Sequence, residues 1–197
     1  IGQHHDLSEA QPARYRELMR NIEKWRHDVI PEGEPEDRPL PVGFREFPKT
    51  YLNAQDGMPK GDITWSSIHP NASFFINWKN PEDFIRWEID VQHTGDYEIT
   101  VMYTCREGDE DAVLETAFKD EILRGTITEA FDPPLKDDRD RVKRNESYEK
   151  EFHPIRLGTM RLEKGRGDFF LRARKMPGEE ICDVRAIRVE LLERADA

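Results

Sequence analysis

Apolar and polar residues alternate with a period of two along most of the chain after residue 44. The clearest case is residues 84–91, FIRWEIDV, in which Ile, Trp, Ile and Val share one parity. Residues 97–104 repeat the pattern after a Gly-Asp turn. Further strands are predicted at 73–78, 112–118, 121–128, 155–161, 168–173 and 184–192. Short alternating strands about ten residues apart, with no helical period between them, predict an antiparallel β-sandwich, so the chain is expected to be mainly β.

A different period occupies residues 1–30. Ser8 is predicted as a helix N-cap, with Gln11 completing a capping box, and Pro31 is expected to end the helix. Apolar side chains recur at steps of three and four and therefore form one stripe: Tyr15, Leu18, Met19, Ile22, Trp25 and Val29. A single amphipathic α-helix must bury such a stripe, either on the following domain or on one that precedes it.

The segment between the two patterns is rich in proline. Residues 31–43, PEGEPEDRPLPVG, contain four prolines and two glycines and offer little to bury. Such a composition predicts an extended, semi-rigid linker. The chain is therefore divided into a helix at 1–30, a linker at 31–43 and a β-sandwich domain at 44–193.

The charge balance limits the kinds of partner. The 197 residues include 30 Lys and Arg against 41 Asp and Glu, a formal net charge of −11. This balance argues against nucleic acid and anionic membranes as partners, because both select basic surfaces. No apolar run reaches the roughly 20 residues that cross a bilayer.

Two cysteines are too few for a disulfide scaffold. Cys105 and Cys182 are predicted as buried thiols, with one bridge left open.

The start of the chain resembles the end of a sulfatase catalytic domain. Residues 2–8, GQHHDLS, followed by a helix with a late Trp25, carry this resemblance. It implies a secreted or periplasmic parent of the N-acetylgalactosamine-6-sulfatase type, with its catalytic groups upstream. Neither cysteine lies in a C-x-P-x-R motif, and no nucleophile elbow or H-E-x-x-H motif occurs. The fragment itself is therefore not expected to be an enzyme.

The second part of the chain, roughly residues 50–192, resembles the jelly-roll carbohydrate-binding modules of the galactose-binding-like superfamily. Residues 75–78, 83–91, 95–103 and 183–189 carry the resemblance. It implies a non-catalytic accessory domain that binds carbohydrate, including sulfated glycan, and targets the upstream sulfatase domain. The alternative left open is a structural domain that packs on the catalytic domain or mediates oligomerisation and binds no sugar.

Two loops carry the candidate sugar-binding residues. Aromatic rings stack on the apolar face of a sugar, and polar side chains at the rim meet its hydroxyls. The candidates before strand 75–78 are Trp65, His69 and Asn71. Those in and after the charged segment 129–150 are Arg141, Arg144, Tyr148 and His153, the arginines being suited to anionic sugars. Trp78 and Trp87 follow strand patterns and are predicted as core.

The same resemblance implies a structural Ca²⁺ between an early strand and the last one. The matching positions are Asn53 and Gln55 early in the domain and Asp183 late in it. Ca²⁺ takes oxygen ligands, which amide and carboxylate groups supply. No other cofactor is expected.

Overall fold

The computed structural model describes residues 6–30, 38–69, 73–136, 141 and 148–192. The chain separates into two compact units, Ile1–Arg38 and Pro39–Ala197. Within the described part, no helix combines the length and the apolar character needed to span a membrane.

The first unit contains the predicted amphipathic helix. Helix α1 spans Pro12–Val29, with Gln11 at the N-cap and no side-chain cap. The prediction of Ser8 as N-cap is wrong. The Ser8 amide instead donates to the Asp6 carboxylate at 2.8 Å, which closes a local turn ahead of the helix. Within this unit the whole apolar stripe is exposed, and the Trp25 side chain is 59% accessible.

The second unit is a β-sandwich, as predicted. Its strands are β1 (Leu40–Val42), β2 (Lys49–Asn53), β3 (Met58–Lys60), β4 (Thr64–Trp65), β5 (Phe75–Ile76), β6 (Phe84–Val91), β7 (Gly95–Thr104), β8 (Val113–Phe118), β9 (Glu121–Thr126), β10 (His153–Leu162), β11 (Gly165–Lys175) and β12 (Asp183–Leu191). The first sheet has the order β1-β6-β11-β8-β9, with β3 also on β6. The second has the order β10-β7-β12-β5-β4, with β2 also on β12.

Strand β1 corrects the end of the predicted linker. Leu40–Val42 pair with Ile89–Val91 of β6, and this pairing is parallel whereas the others are antiparallel. Val42 is fully buried, and its carbonyl accepts the Gln92 amide at 2.8 Å. Pro41 is compatible with this strand because an edge strand needs fewer backbone donors than a central one. Ordered sandwich structure therefore begins before residue 44.

The alternating residues form the core between the sheets. In β6, Ile85, Trp87, Ile89 and Val91 are all 0% exposed, and Trp78 is 1% exposed. Both tryptophans are therefore core residues, as predicted. The Trp87 ring packs edge-on against Phe75 at 6.0 Å, and its Nε1–H donates to the Asn53 carbonyl at 2.8 Å. Trp87 thereby connects the two sheets.

The two cysteines are free and buried, in agreement with the prediction of buried thiols. Cys105 follows Thr104 of β7 and Cys182 precedes Asp183 of β12. Thr104 and Asp183 face each other across these two strands. Burial raises the pKa of the Cys105 thiol to about 12 and that of Cys182 well above its ordinary value. Both thiols are therefore protonated and poorly nucleophilic near neutral pH.

Candidate functional site

The predicted sugar-binding loops meet at one end of the sandwich. At this end β7 finishes while β10 and β12 begin, so that Tyr103 faces both His153 and Val184. Phe75 of β5 lies on the other side of Val184. Phe74, directly before β5, and Phe152, directly before β10, lie near this end of the second sheet.

Aromatic contacts join these two loops. The rings of Phe74 and Phe152 meet edge to face with their centroids 5.2 Å apart. The Lys150 ammonium lies 5.4 Å from the Phe74 centroid and 5.9 Å from that of Phe152. Cation–π attraction and the edge contact together hold the segments in fixed relative positions.

Trp65 is partly open to solvent beside these loops. The residue is 42% exposed and lies in β4, the last strand in the order of the second sheet. The indole Nε1–H donates to the Ala54 carbonyl at 2.9 Å, and the ring packs 5.9 Å from Phe75 at an angle of 35°. A ring held by a hydrogen bond and a packing contact, yet still accessible, is suited to stacking on a ligand.

His69 lies in the loop that follows Trp65. Its side chain is exposed, and its backbone amide donates to the Ser67 hydroxyl at 3.1 Å. The adjacent Ile68 is 95% exposed. Asn71, the third candidate of this loop, is outside the described residues.

His153 lies at the start of β10 and is held between two aromatic rings. It stacks parallel to Tyr103 at 6.2 Å and meets the edge of Phe131 at 5.1 Å. Its Nδ1 lies 4.0 Å from a Glu129 carboxylate oxygen and has no hydrogen-bond partner among the described residues. Trp65 and His153 thus have separate sets of neighbours at the same end of the sheet.

The structure describes only some of the candidates in the charged segment 129–150. Tyr148 is partly buried and Arg141 is exposed, whereas Arg144 is outside the described residues. Of the two arginines predicted to bind anionic sugars, Arg141 therefore lies in the described part of the chain.

A lysine ammonium occupies the position beside Asp183 where the sequence predicts calcium. Lys150 Nζ lies 2.7 Å from Asp183 Oδ2 and 3.0 Å from Asp132 Oδ1. The Thr104 hydroxyl donates to the same Asp183 oxygen at 3.2 Å. Burial raises the pKa of Asp183, and the hydrogen bond from Lys150 opposes that rise. The Lys150 side chain is only 8% exposed, so this is a largely buried pair.

The residues predicted to hold Ca²⁺ do not fit the ion. The Asn53 backbone carbonyl accepts a hydrogen bond from the Trp87 indole, Gln55 is exposed in a short 3₁₀ turn, Ala54–Asp56, and Asp183 is already paired with Lys150. A lysine on Asp183 supplies the positive charge that a cation would supply. In the described ranges, no group of three or more His, Cys, Asp or Glu residues could hold a metal. Lys150 and Asp132 were missed because nothing local marks residues 33 and 51 positions from Asp183 as its neighbours.

Comparison by sequence found no matching family model and no matching curated protein. Comparison by structure found jelly-roll carbohydrate-binding modules. The family 35 carbohydrate-binding module of Clostridium thermocellum has 11% identity and a TM-score of 0.50, over 72% of this chain and 96% of that module. The C-terminal CBM6 of the marine laminarinase LamC from Zobellia galactanivorans also has 11% identity and a TM-score of 0.50, over 72% of this chain and 98% of that one.

Part of an enzyme whose name includes such a module also matches this chain. The GH26-CBM35 β-(1,4)-mannanase of Podospora anserina matches with 11% identity and a TM-score of 0.52, over 74% of this chain. The match spans about a quarter of the mannanase, 28% of its chain. At these identities the likeness concerns the fold. The second unit has the jelly-roll sandwich fold of carbohydrate-binding modules.

Proposed function

We propose that the β-sandwich is a non-catalytic accessory module that binds carbohydrate at the end formed by the loops before β5 and β10. The single observation that carries this proposal is Trp65, a residue that is 42% exposed although a hydrogen bond holds its indole in one orientation. A sugar ring stacked on this indole would bury apolar C–H surface on both partners. The likeness of the fold to carbohydrate-binding modules supports the proposal.

The polar candidates would then contact different units of a bound oligosaccharide, because Trp65 and His153 lie on β4 and β10, the two ends of the strand order of the second sheet. His69 and His153 offer ring nitrogens, and Tyr148 and Arg141 offer hydrogen-bond donors from the second loop. Asn71 and Arg144 complete the proposed set from the sequence. Lys150 is a positioning residue in this proposal, since it holds the ends of both loops.

The proposal extends to a parent enzyme. The resemblance of residues 2–8 and Trp25 to the end of a sulfatase domain supports an upstream sulfatase, secreted or periplasmic, that acts on sulfated glycan. An appended module would raise the effective concentration of such an enzyme on its polymer without contributing to chemistry.

The first test replaces Trp65 by alanine. We expect retention by an immobilised polysaccharide, measured by affinity electrophoresis on a panel of neutral and anionic glycans, to fall about tenfold, because the stacking surface is lost. The melting temperature should change little, since Trp65 lies on a two-residue strand at the sheet edge. Phe47→Ala, which truncates a 75% exposed aromatic side chain between β1 and β2, is the matched control. Equal mobility of Trp65→Ala and wild type would contradict sugar binding at this end.

A structural role is the second candidate, and the apolar stripe of α1 favours it. Its residues are exposed within their own unit, Trp25 at 59% and Ile22 at 49%. An amphipathic helix of 18 residues gains most of its stability by packing this kind of face. The stripe would then dock on the upstream domain or on a second copy of the chain.

The second copy can be tested with the chain alone. If α1 self-associates, sedimentation velocity should give a dimer for the wild type and a monomer for the Leu18→Ser/Trp25→Ser variant, because two large apolar contacts are lost. A control with Arg16→Ser and Arg20→Ser changes the polar side of the helix and should stay dimeric. A wild type that is monomeric at all concentrations would leave docking on an upstream domain as the structural role.

A further inference from the structure

A buried carboxylate lies among arginines on the outer face of the first sheet. Glu115 of β8 alternates with the core residue Leu114, yet its side chain is 0% exposed. Arg174 Nη2 donates to Glu115 Oε1 at 2.6 Å and Arg124 Nε donates to Oε2 at 2.8 Å, while Arg172 Nη1 lies 3.9 Å from Oε1. These hydrogen bonds, that from Arg174 first, hold the pKa of Glu115 below its usual value against the effect of burial.

Strand register places the cluster in one row. Glu115 faces Arg172 of β11 on one side and Arg124 of β9 on the other. Phe84 of β6 extends the row beyond Arg172. Since alternate residues share a face, the next row on this face contains Phe170, Ala117 and Ile122.

The cluster has more positive charge than its carboxylate can neutralise. Three guanidinium groups carry about fifteen N–H donors, whereas one carboxylate offers about four acceptor sites. Even with Glu82, whose charge acts on Arg174, three cations meet two anions. The arginine side chains remain open to solvent, with exposed fractions of 61% for Arg124, 32% for Arg172 and 47% for Arg174.

The excess positive charge lies over one part of this face, at β8, β9 and the end of β11. On the same face Arg86 is paired with Glu88 and Asp168 at 3.3 Å, and Arg166 lies 4.0 Å from Asp90. The remaining donors therefore concentrate over β8, β9 and the end of β11. This local excess of positive charge contrasts with the net charge of −11 for the chain.

Aromatic rings lie next to the free guanidinium groups. The Arg172 guanidinium is 4.4 Å from the centroid of Phe170, which meets Phe84 edge to face at 5.7 Å. Stacking on Phe170 orients the guanidinium plane and leaves its edge free for a bidentate contact. Ala117, directly opposite Phe170, is only 6% exposed, so the apolar surface that this row offers to solvent comes from Phe170 and the 56% exposed Ile122.

We propose that this arginine face, formed by Arg124, Arg172, Arg174 and Phe170, binds an acidic polysaccharide. Carboxylate or sulfate groups on the polymer would take the free guanidinium edges, and a sugar ring would lie against the exposed surface of Phe170 and Ile122. The inference rests on the proposed function for the class of ligand, but it uses a different surface. The negative charge of the whole chain repels such a polymer, so binding here must come from local contacts.

The test removes two of the three arginines. In Arg124→Gln/Arg172→Gln, Glu115 keeps its 2.6 Å bond to Arg174, so the fold should persist. We expect affinity for polygalacturonate or chondroitin sulfate, measured by affinity electrophoresis, to fall at least about tenfold, as for the loss of one charge-assisted contact. Polygalacturonate carries carboxylates alone, whereas chondroitin sulfate carries carboxylates and sulfates, so binding of the second polymer without the first would assign recognition to sulfate. Retention by a neutral galactomannan should stay unchanged.

Arg161→Gln/Arg166→Gln is the matched control. It changes the net charge equally at exposed positions on β10 and at the opposite end of β11. If the first variant fails to fold, as seen by circular dichroism, Arg172→Lys replaces it. That change keeps the charge and removes the planar fork, so a loss of several fold is still expected.

The outcomes separate this inference from the proposed function. Equal losses in the test and control variants, or equally strong binding of poly-L-glutamate, would overturn the arginine face as a polysaccharide site. Binding only to neutral glycans, lost in Trp65→Ala, would overturn it while the module function stands. Absence of binding to every polysaccharide would overturn both.

Discussion

Replacing Lys150 by alanine should lower the free energy of unfolding by about 3 kcal/mol at pH 7. The ammonium lies 2.7 Å from Asp183 and 3.0 Å from Asp132, and its side chain is only 8% exposed. Without it, the largely buried Asp183 carboxylate and the 40% exposed Asp132 carboxylate face each other with no positive charge between them. Urea denaturation followed by far-UV circular dichroism measures the change.

The loss should shrink on acidification. Burial already raises the pKa of Asp183 above its ordinary 3.8 in the folded chain, so the folded state binds this proton more readily than the unfolded state. Lowering the pH through the raised value therefore stabilises the folded state through Asp183. In Lys150→Ala the pKa rises further, and the deficit relative to wild type should decrease between pH 7 and pH 4.

Lys136→Ala is the matched control for Lys150. Its ammonium pairs with Glu151 at 3.0 Å, but both side chains are more than half exposed. Such a surface pair contributes roughly 0–1 kcal/mol. If the two lysine variants unfold at the same urea concentration, the buried pair does not hold the loop ends in place.

Replacing Trp87 by alanine should cost about 4 kcal/mol, the larger of the two effects. The ring is fully buried against Phe75, and its loss leaves a cavity between the sheets. It also removes the hydrogen bond that the indole donates to the Asn53 carbonyl in partly buried surroundings. Packing is tight here, since a Cβ added at Gly57 would lie 2.7 Å from the Trp87 ring.

Trp65→Ala is the comparison for Trp87→Ala. The same atoms are deleted from a residue that is 42% exposed, so its cost in unfolding free energy should be about 1 kcal/mol. Guanidinium denaturation with circular dichroism detection measures both, because tryptophan fluorescence changes with each substitution. A loss below about 1.5 kcal/mol for Trp87→Ala would contradict its role as the link between the sheets.

A lysine beside Asp183 changes how the loop end is held together. A calcium site would make stability depend on the ion and on chelators. Here the positive charge is part of the chain and arrives with the long loop that precedes β10. The order of this end therefore depends on the ion pairs that Lys150 makes with Asp183 and Asp132.

The amino-acid sequence by itself determined the strands and the face that each buries. In residues 84–91 the two-residue period specifies an exposed and a buried side, because neighbouring side chains on a strand point in opposite directions. Trp87 and Trp78 were therefore predictable as core. The helix of residues 12–29 was predictable for the same reason, since its period is also local.

Only the tertiary structure decided which charges meet. Lys150 and Asp183 are 33 residues apart, and Arg174 and Glu115 are 59 apart. Their contacts depend on the pairing of strands and on the return of a long loop, which no local period encodes. The parallel pairing of Leu40–Val42 was hidden for the same reason, because a proline-rich segment becomes a strand only when a partner edge is present. Periodicity acts between neighbours in sequence, whereas ion pairs and edge pairing act between neighbours in space.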